Sequence, residues 1–264
     1  MKIHAEFQQK NGGDPTREWL EARLGVVTAS EFGRIVKLDG TMRDGEMVKT
    51  YLAEKLFERW TGRTKEPFVT QATNNGVIVE ERAAAFAEFQ YGLKIDHVGF
   101  ISDAGGSIGC SPDGLVGWDA SKFSKTEPTV LPDCFTPTAA QSGIEIKCPE
   151  HTTHIKYLLD GKLPKDYIPQ VQGSMFVTGC KIWHFLSYPL TCCLDGFPAL
   201  HLLVERDEEF CENLSESLEK FLALYETSFA RLVEMNGAPP PPRQKFFSSF
   251  NQQPQSDNND IPTP

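Results

Sequence analysis

Near the middle of this chain runs Gly143-Ile144-Glu145-Ile146-Lys147-Cys148-Pro149, in which apolar and charged side chains alternate. A period of two belongs to a strand, so Ile144 and Ile146 face one side of a sheet and Glu145 and Lys147 the other. An acid is thereby set beside a base on one face. Pro149 has no amide to give to a ladder, so the pair stands near the strand's end, where sheet sites open. Taken alone, the pattern fits a solvated face with a cross-strand ion pair, the commoner use of such residues.

The flanking sequence shows what such a strand could pack against. Asp14-Pro15 predicts a helix start, with Trp19, Leu20 and Leu24 as its apolar stripe. Gly25 breaks that helix, and Thr28 or Ser30 caps a second one running to about Val36. A helix start with free amides beside Arg23 is a ready anion site, although an ordinary capped helix explains it as well. Val48, Leu52, Leu56 and Trp60 predict core positions on a helix over Glu46–Trp60, stopped by Gly62. Another runs from about Asn75 to Tyr91, closed by Gly92, with Ala83-Ala84-Ala85, Phe86 and Phe89 in close packing. Either Glu80 or Glu81 then lies close to its buried face, paired with an arginine or serving as a metal ligand.

From Leu93 the period changes to that of strands, Ile95–Ile101 and Ser107–Val116, about a turn at Asp103-Ala104-Gly105-Gly106. Within the second, Ser111-Pro112-Asp113-Gly114 is ordinary turn chemistry. The apolar sequence on both sides suggests instead a bend inside a buried strand, with Asp113 at the kink. Asp119–Ser142, rich in Ser, Thr and Pro, reads as an irregular insertion. Helices follow over His151–Leu159 and Tyr167–Val177, and in the second Gln170 and Ser174 share a face. Strands over Ile182–Tyr188 and Ala199–Glu205 lead to a long helix with Phe210, Leu214, Leu218, Phe221, Leu222 and Tyr225 inward. After Gly237, a proline run and a Gln-, Asn- and Ser-rich end predict a disordered tail in which Phe246, Phe247 and Phe250 could form a docking peptide.

Chain length sets the scale of the fold. At 264 residues and 40% hydrophobic, residues 1–236 suffice for one well-cored domain, with 237–264 as its tail. No apolar run is long enough to span a membrane and the N-terminus lacks a signal peptide's apolar core, so a soluble intracellular protein is expected. The seven cysteines are an odd number without a Cys-x-x-Cys pair; Cys192 and Cys193 are adjacent, and Cys110 and Cys148 lie in apolar stretches, which predicts buried thiols. A net charge of -10 excludes a generic nucleic-acid coat. Between Asp207 and Met235 eight acids face only Lys220 and Arg231, so one helix carries -6 and the remainder only -4. An acidic body can still grip a polyanion where divalent metal fills a cluster of carboxylates.

Together these elements predict a mixed α/β fold, a central mixed sheet flanked by helices, with Glu80, Asp113, Glu145 and Lys147 able to reach one sheet edge. An acid followed by acid-x-lysine on the next strand suits a metal-dependent phosphodiesterase. Hard carboxylate oxygens hold magnesium, and a nearby lysine orients water or stabilises developing charge. Asp113 with Glu145-Ile146-Lys147 resembles the PD-(D/E)XK nuclease motif, for which Pro112 supplies the proline, and so implies a restriction-endonuclease-like core. Five blocks carry the resemblance further: Trp19 with Arg23 to Ser30, Gly76 to Glu80, Cys110 to Leu115, Gly143 to Pro149, and Gln170 to Thr178. In order, and over roughly Trp19 to Asp207, they are similar to those of the lambda-exonuclease, or YqaJ-type viral recombinase, family.

By that resemblance Asp113, Glu145 and the carbonyl of Ile146 hold one Mg²⁺, with Mn²⁺ able to substitute, and Glu80 completes a two-metal cluster. Lys147 serves the attacking water, Gln170 helps position it, Arg23, Ser30 and Ser111 anchor a terminal 5′-phosphate, and Asp103 is a further candidate near the metals. Glu145 and Lys147 are then not simply each other's salt bridge. The implied activity is Mg²⁺-dependent 5′-to-3′ digestion of linear double-stranded DNA, releasing 5′-mononucleotides and leaving 3′ overhangs for a single-strand annealing protein. A homotrimeric ring and the cytoplasm of a bacterial host are implied as well. The 119–142 insertion and the tail depart from the family pattern. Two other readings stand beside this one: a structure- or sequence-specific endonuclease on the same scaffold, and a catalytically silent DNA-end-binding module.

Overall fold

The alternating strand is the centre of the molecule's second sheet. The computed structural model describes residues 1–4, 10–11, 14–15, 17–63, 71–124, 127–132, 134–189 and 197–239. In chain order its elements are β1 (Lys2–His4), β2 (Lys10–Asn11), β3 (Asp14–Pro15), α1 (Arg17–Arg23), β4 (Val27–Thr28), α2 (Glu46–Thr61) and α3 (Gln71–Tyr91). Then come β5 (Ile95–Asp96), β6 (Phe100–Ser102), β7 (Ile108–Cys110), β8 (Gly114–Val116), β9 (Thr129–Val130) and β10 (Ser142–Lys147). Last are α4 (His151–Asp160), α5 (Ile168–Thr178), β11 (Ile182–Ser187), β12 (Leu200–Glu205) and α6 (Glu208–Asn236). Short 3₁₀ turns occupy Ala29–Arg34, Ala120–Lys122 and Lys165–Tyr167.

Among the described residues the strands form two five-stranded mixed sheets and a separate β2-β3 pair, where one central sheet was expected. The first has the order β4-β7-β6-β1-β9 and the second β12-β11-β10-β8-β5. In the second, β10 runs parallel to β11 and antiparallel to β8. Ile144 and Ile146 pack against Val79, Ala83, Ala84 and Ala87 of α3. Glu145 sits opposite Phe185 in the ladder, on the face turned to α5. The predicted alternation therefore holds, but neither face is solvated, and Ser142 to Ile146 are all buried. Between the sheets α5 brings Val171 and Met175 into one core with Ile101, Cys110, Trp183, Phe185 and Phe32. A Cβ on Gly173 would stand 2.4 Å from the Phe32 ring, so only glycine lets α5 approach the Ala29–Arg34 turn this closely.

Several expectations are corrected. Asp14-Pro15 does not start a helix but pairs with Lys10-Asn11 as a strand. The segment from Thr28 is a single 3₁₀ turn without a side-chain cap, and the Thr28 amide donates to Tyr51 Oη at 3.4 Å, so tertiary contact replaces the free helix start. On α2 the buried positions are Val48, Tyr51, Lys55 and Glu58, because a Lys55–Glu58 ion pair of 2.8 Å lies inward where Leu56 and Trp60 were expected. Phe89 is 89% exposed, while Ala83, Ala84 and Ala87 form the packed stripe of α3. Residues 110–116 are not one bent strand: β7 belongs to the first sheet, β8 to the second, and Ser111-Pro112-Asp113 crosses between them. The 119–142 segment is only partly irregular, since β9 pairs with β1 and Phe123 packs at 6.3 Å against Trp118.

The tail beyond residue 239, Cys192, Cys193 and the side chains of Gly76, Val77 and Ile78 lie outside the described residues. The five cysteines that are described, Cys110, Cys134, Cys148, Cys180 and Cys211, are free thiols; Cys134 is exposed, contrary to the general expectation of burial. Among the described residues no helix is long and apolar enough to cross a membrane.

On the α3 side of the second sheet His184 and His201 stack with centroids 5.1 Å apart, and one ring nitrogen donates to the other at 2.9 Å. Burial, and then His201, push His184 down to about 4. Its folded value thus lies below the roughly 6.5 of an unfolded histidine. Above that value both states are neutral and stability is full; as pH falls toward 4 only the unfolded chain takes up the proton, and stability is lost. Urea unfolding is expected to show about 1–2 kcal/mol of such loss between pH 7 and pH 5. The loss should disappear in His184→Gln; an equal loss in the variant would assign it to other groups.

Candidate active site

The crossing from β7 to β8 places two polar side chains on different errands. Ser111 turns toward α1, where its Oγ accepts from Arg23 Nη1 at 2.8 Å and, at 3.2 Å, from Trp19 Nε1, whose one N–H is shared with the Gly99 carbonyl at 3.0 Å. A hydroxyl has two lone pairs and one hydrogen, so with both lone pairs engaged the Ser111 hydrogen is left to donate to an acceptor. Arg23 lies over the Trp19 ring at 4.2 Å, and burial works against its charge. Among the described residues no carboxylate stands at ion-pair distance from this guanidinium. A cavity of about 400 Å³ opens beside it, lined by Trp19, Leu20, Arg23, Thr28, Arg34, Tyr51 and Lys55 and also by the carboxylates of Glu31, Glu54 and Glu58. Asp113, Glu145 and Lys147 take no part in that lining.

Two residues further on, Asp113 turns to β10. Its Oδ2 accepts the Ile146 amide at 2.6 Å, and its own amide donates to the Ile144 carbonyl at 3.2 Å. His97 Nδ1 lies 3.0 Å from the Asp113 carbonyl, and because a carbonyl only accepts, that nitrogen carries the proton. Burial, then Glu145 and Glu80, hold the Asp113 carboxyl well above its ordinary value. Glu145 is 2% exposed and is raised for the same first reason, against the pull of Lys147.

Lys147 Nζ donates to Glu145 Oε1 at 2.5 Å, and Gln170 Nε2 donates to the same oxygen at 2.6 Å. Glu145 and Lys147 were expected not to be simply each other's salt bridge; they do form a direct ion pair, but Gln170 shares its acceptor oxygen. A buried carboxylate requires a counter-charge, and the ammonium two residues along the same strand face is at hand. Desolvation opposes the charge on Lys147 but is outweighed by Glu145 and Asp113, which hold it above its ordinary range.

The structure thus brings Asp113, Glu145, Ile146, Lys147 and Gln170 together and joins Arg23 to Ser111. Glu80 is an electrostatic neighbour of both acids, but among the described residues no three His, Cys, Asp or Glu side chains converge as a ready metal cage. Paired hard oxygens whose mutual repulsion outlasts one lysine fit a divalent cation such as magnesium. Ser30 shares a 3.3 Å hydrogen bond with Thr28 and not with Arg23 or Ser111. Both Asp103 oxygens are taken by amides of its own turn, Ser107 and Ile108 on one and Gly105 on the other, and the residue belongs to the first sheet's hairpin. Sequence reasoning missed Trp19, His97 and Tyr167 at the site. Tyr167 had a legible signal, since it stands three residues before Gln170 and so shares its side of the turn.

Comparison with known proteins fits this geometry. The family profile of the YqaJ-like viral recombinase domain matches residues 18–181. An alkaline exonuclease, LHK-Exo, from Laribacter hongkongensis is similar in structure, with a TM-score of 0.65 and 30% identity over 83% of this chain and 97% of that one. The same figures hold for LHK-Exo in complex with dAMP. A phage related exonuclease from Haemophilus somnus 129PT shares the fold, with a TM-score of 0.55 and 15% identity over 78% of this chain and 96% of that one. No curated protein matches the sequence.

A carboxyl held above its ordinary value is one the fold prefers protonated, whereas the unfolded chain ionises it freely at neutral pH; its charge therefore disfavours the folded state there. In chelator at pH 7, Asp113→Asn is expected to melt roughly 2–4 °C higher than the parent, the shift that about 1 kcal/mol produces in a chain of this size. Added Mg²⁺ should raise the parent's melting temperature and leave the variant's almost unchanged. A variant that melts lower in chelator would contradict this account of the Asp113 environment.

Proposed function

The chain belongs to the YqaJ-like viral recombinase family, and from that membership and its charged cleft we propose that it is a magnesium-dependent 5′-to-3′ exonuclease on linear double-stranded DNA. That it is a phage-type nuclease follows from the family and its exonuclease neighbours. One observation carries the finer reading. Arg23, half-buried and among the described residues without a carboxylate at ion-pair distance, meets Ser111, and Ser111 is only two residues from Asp113, which accepts the Ile146 amide and is an electrostatic neighbour of Glu145 and Lys147. Two residues reach about 7 Å at most, so an anchor for a terminal phosphate stands next to a hydrolytic centre. Such spacing favours release of single nucleotides, and LHK-Exo has been seen in complex with a mononucleotide, dAMP.

Arg23 and the Ser111 hydroxyl bind the 5′-phosphate as charge-assisted donors. Gln170 fixes the orientation of Glu145 through its 2.6 Å bond, and the Ile146 amide does the same for Asp113. Asp113, Glu145 and the Ile146 carbonyl, with Glu80 close by, would hold Mg²⁺ or Mn²⁺, which when bound polarises the scissile phosphate and acidifies the water that attacks it. Lys147 supplies a positive charge beside that phosphate and orients the water. The 3′ overhang left behind passes to a single-strand annealing protein, and the subunits form a trimeric ring in the cytoplasm of a bacterial host, as in the family.

Duplex DNA labelled separately at its 5′ and 3′ ends tests the reading. With Mg²⁺ the 5′ label should appear at once as mononucleotide while the 3′ strand is retained, and chelator should stop release. Lys147→Ala is expected to lower the rate at least ~100-fold. Arg23→Ala should slow 5′-phosphorylated ends about tenfold and erase their advantage over 5′-hydroxyl ends. Cutting of closed circles at a comparable rate, or release from the 3′ end, would overturn it.

A further inference from the structure

Lys147 has a second neighbour that no ion pair accounts for. Its Nζ lies 5.0 Å from the centroid of the Tyr167 ring, within the range of a cation held on an aromatic face. That ring is fixed from two sides: Phe185 lies 5.5 Å away at a tilt of 36°, and Tyr157 meets it edge-on at 6.3 Å and 83°. Tyr167 closes the 3₁₀ turn that leads into α5, and Gln170, one turn on, reaches Glu145 Oε1. One short segment therefore holds both partners of the β10 pair, the carboxylate through an amide and the ammonium through a ring.

The two contacts on Lys147 differ in kind. Glu145 Oε1 already accepts from both Lys147 and Gln170, and whenever that carboxylate turns to another cation the lysine loses its hydrogen-bonded ionic partner and keeps only the longer-range pull of Asp113. A lysine side chain is long and freely rotating, and would then sample many positions. The ring face attracts a cation whatever Glu145 is bound to, because the attraction comes from the quadrupole of the ring. We infer that Tyr167 is a positioning residue: its ring keeps the Lys147 ammonium at the reacting phosphate when Glu145 is otherwise engaged. This rests on the reading of Lys147 as the group that serves the phosphate and its water.

The ring is what matters, so removing the hydroxyl and removing the ring must act differently. The test uses the full chain as Tyr167→Phe, Tyr167→Leu and Tyr167→Met, with 5′-phosphorylated duplex and Mg²⁺. In parallel, ¹³C-lysine spectra follow the Lys147 ε-methylene, assigned by its loss in Lys147→Ala. In the parent and in Tyr167→Phe that resonance should be displaced by the aromatic ring current, and kcat should agree within about twofold. In the Leu and Met variants the displacement should vanish and kcat should fall about tenfold with KM unchanged. An undisplaced resonance in the parent would overturn the inference. So would Leu and Met variants that fold and keep their kcat, or a Phe variant as impaired as they are. If the parent releases no nucleotide the nuclease reading fails instead, while the resonance still reports whether the ring holds the ammonium.

Discussion

Two carboxylates held close together with little access to water, Asp113 in the crossing and Glu145 on β10, set the terms for the surrounding structure. A buried charge costs several kcal/mol unless it is paired and hydrogen-bonded, and like charges at close range add to that cost. Asp113 is answered by the Ile146 amide, and Glu145 by Lys147 and Gln170. The donors come from the strand itself and from α5, which is held by apolar packing between the sheets. The geometry of the charged cleft thus depends on an apolar core that carries no charge. A soft core would let the acids separate and take on water, and the strained electrostatics that suit cation binding would relax.

Small residues let that core close. Gly143 lies beneath the Trp183 ring, where a Cβ would be 2.3 Å from the nearest ring atom, and Gly173 admits Phe32 in the same manner. The first fixes β10 against β11, and the second fixes α5 against the turn that follows Arg23. Through these two contacts the Arg23–Ser111 pair and the acid pair share one framework. Arg23 is also held by its neighbours, over Trp19 at 4.2 Å and near Phe100 at 5.8 Å, so its guanidinium is ordered before any ligand arrives.

Much of this was legible in the sequence wherever one local rule acts alone. The period of two in Ile144 to Lys147 gave the faces of β10, and Phe210, Leu214, Leu218 and Phe221 at helical spacing gave the buried face of α6. Local rules failed where distant residues intervened. Thr28 looked like a cap, yet its amide is claimed by Tyr51 from α2. Residues 110–116 looked like one strand because periodicity does not say which sheet a strand joins. Phe89 looked like core from its type alone, but α3 turns it outward. At the site, Asp113, Glu145, Lys147 and Gln170 are together as the motif implied; the partners of Ser30 and Asp103 depend on hydrogen bonds that no sequence pattern encodes.

The crossing from the first sheet to the second consists of Ser111, Pro112 and Asp113, with proline stiffening its middle. Because its ends are fixed in different sheets, it acts as a ruler of set length between the Arg23–Ser111 pair and the Asp113–Glu145 pair. Most loops tolerate an added residue at small cost. Here one extra residue would leave both half-sites folded and chemically complete, yet out of step with each other.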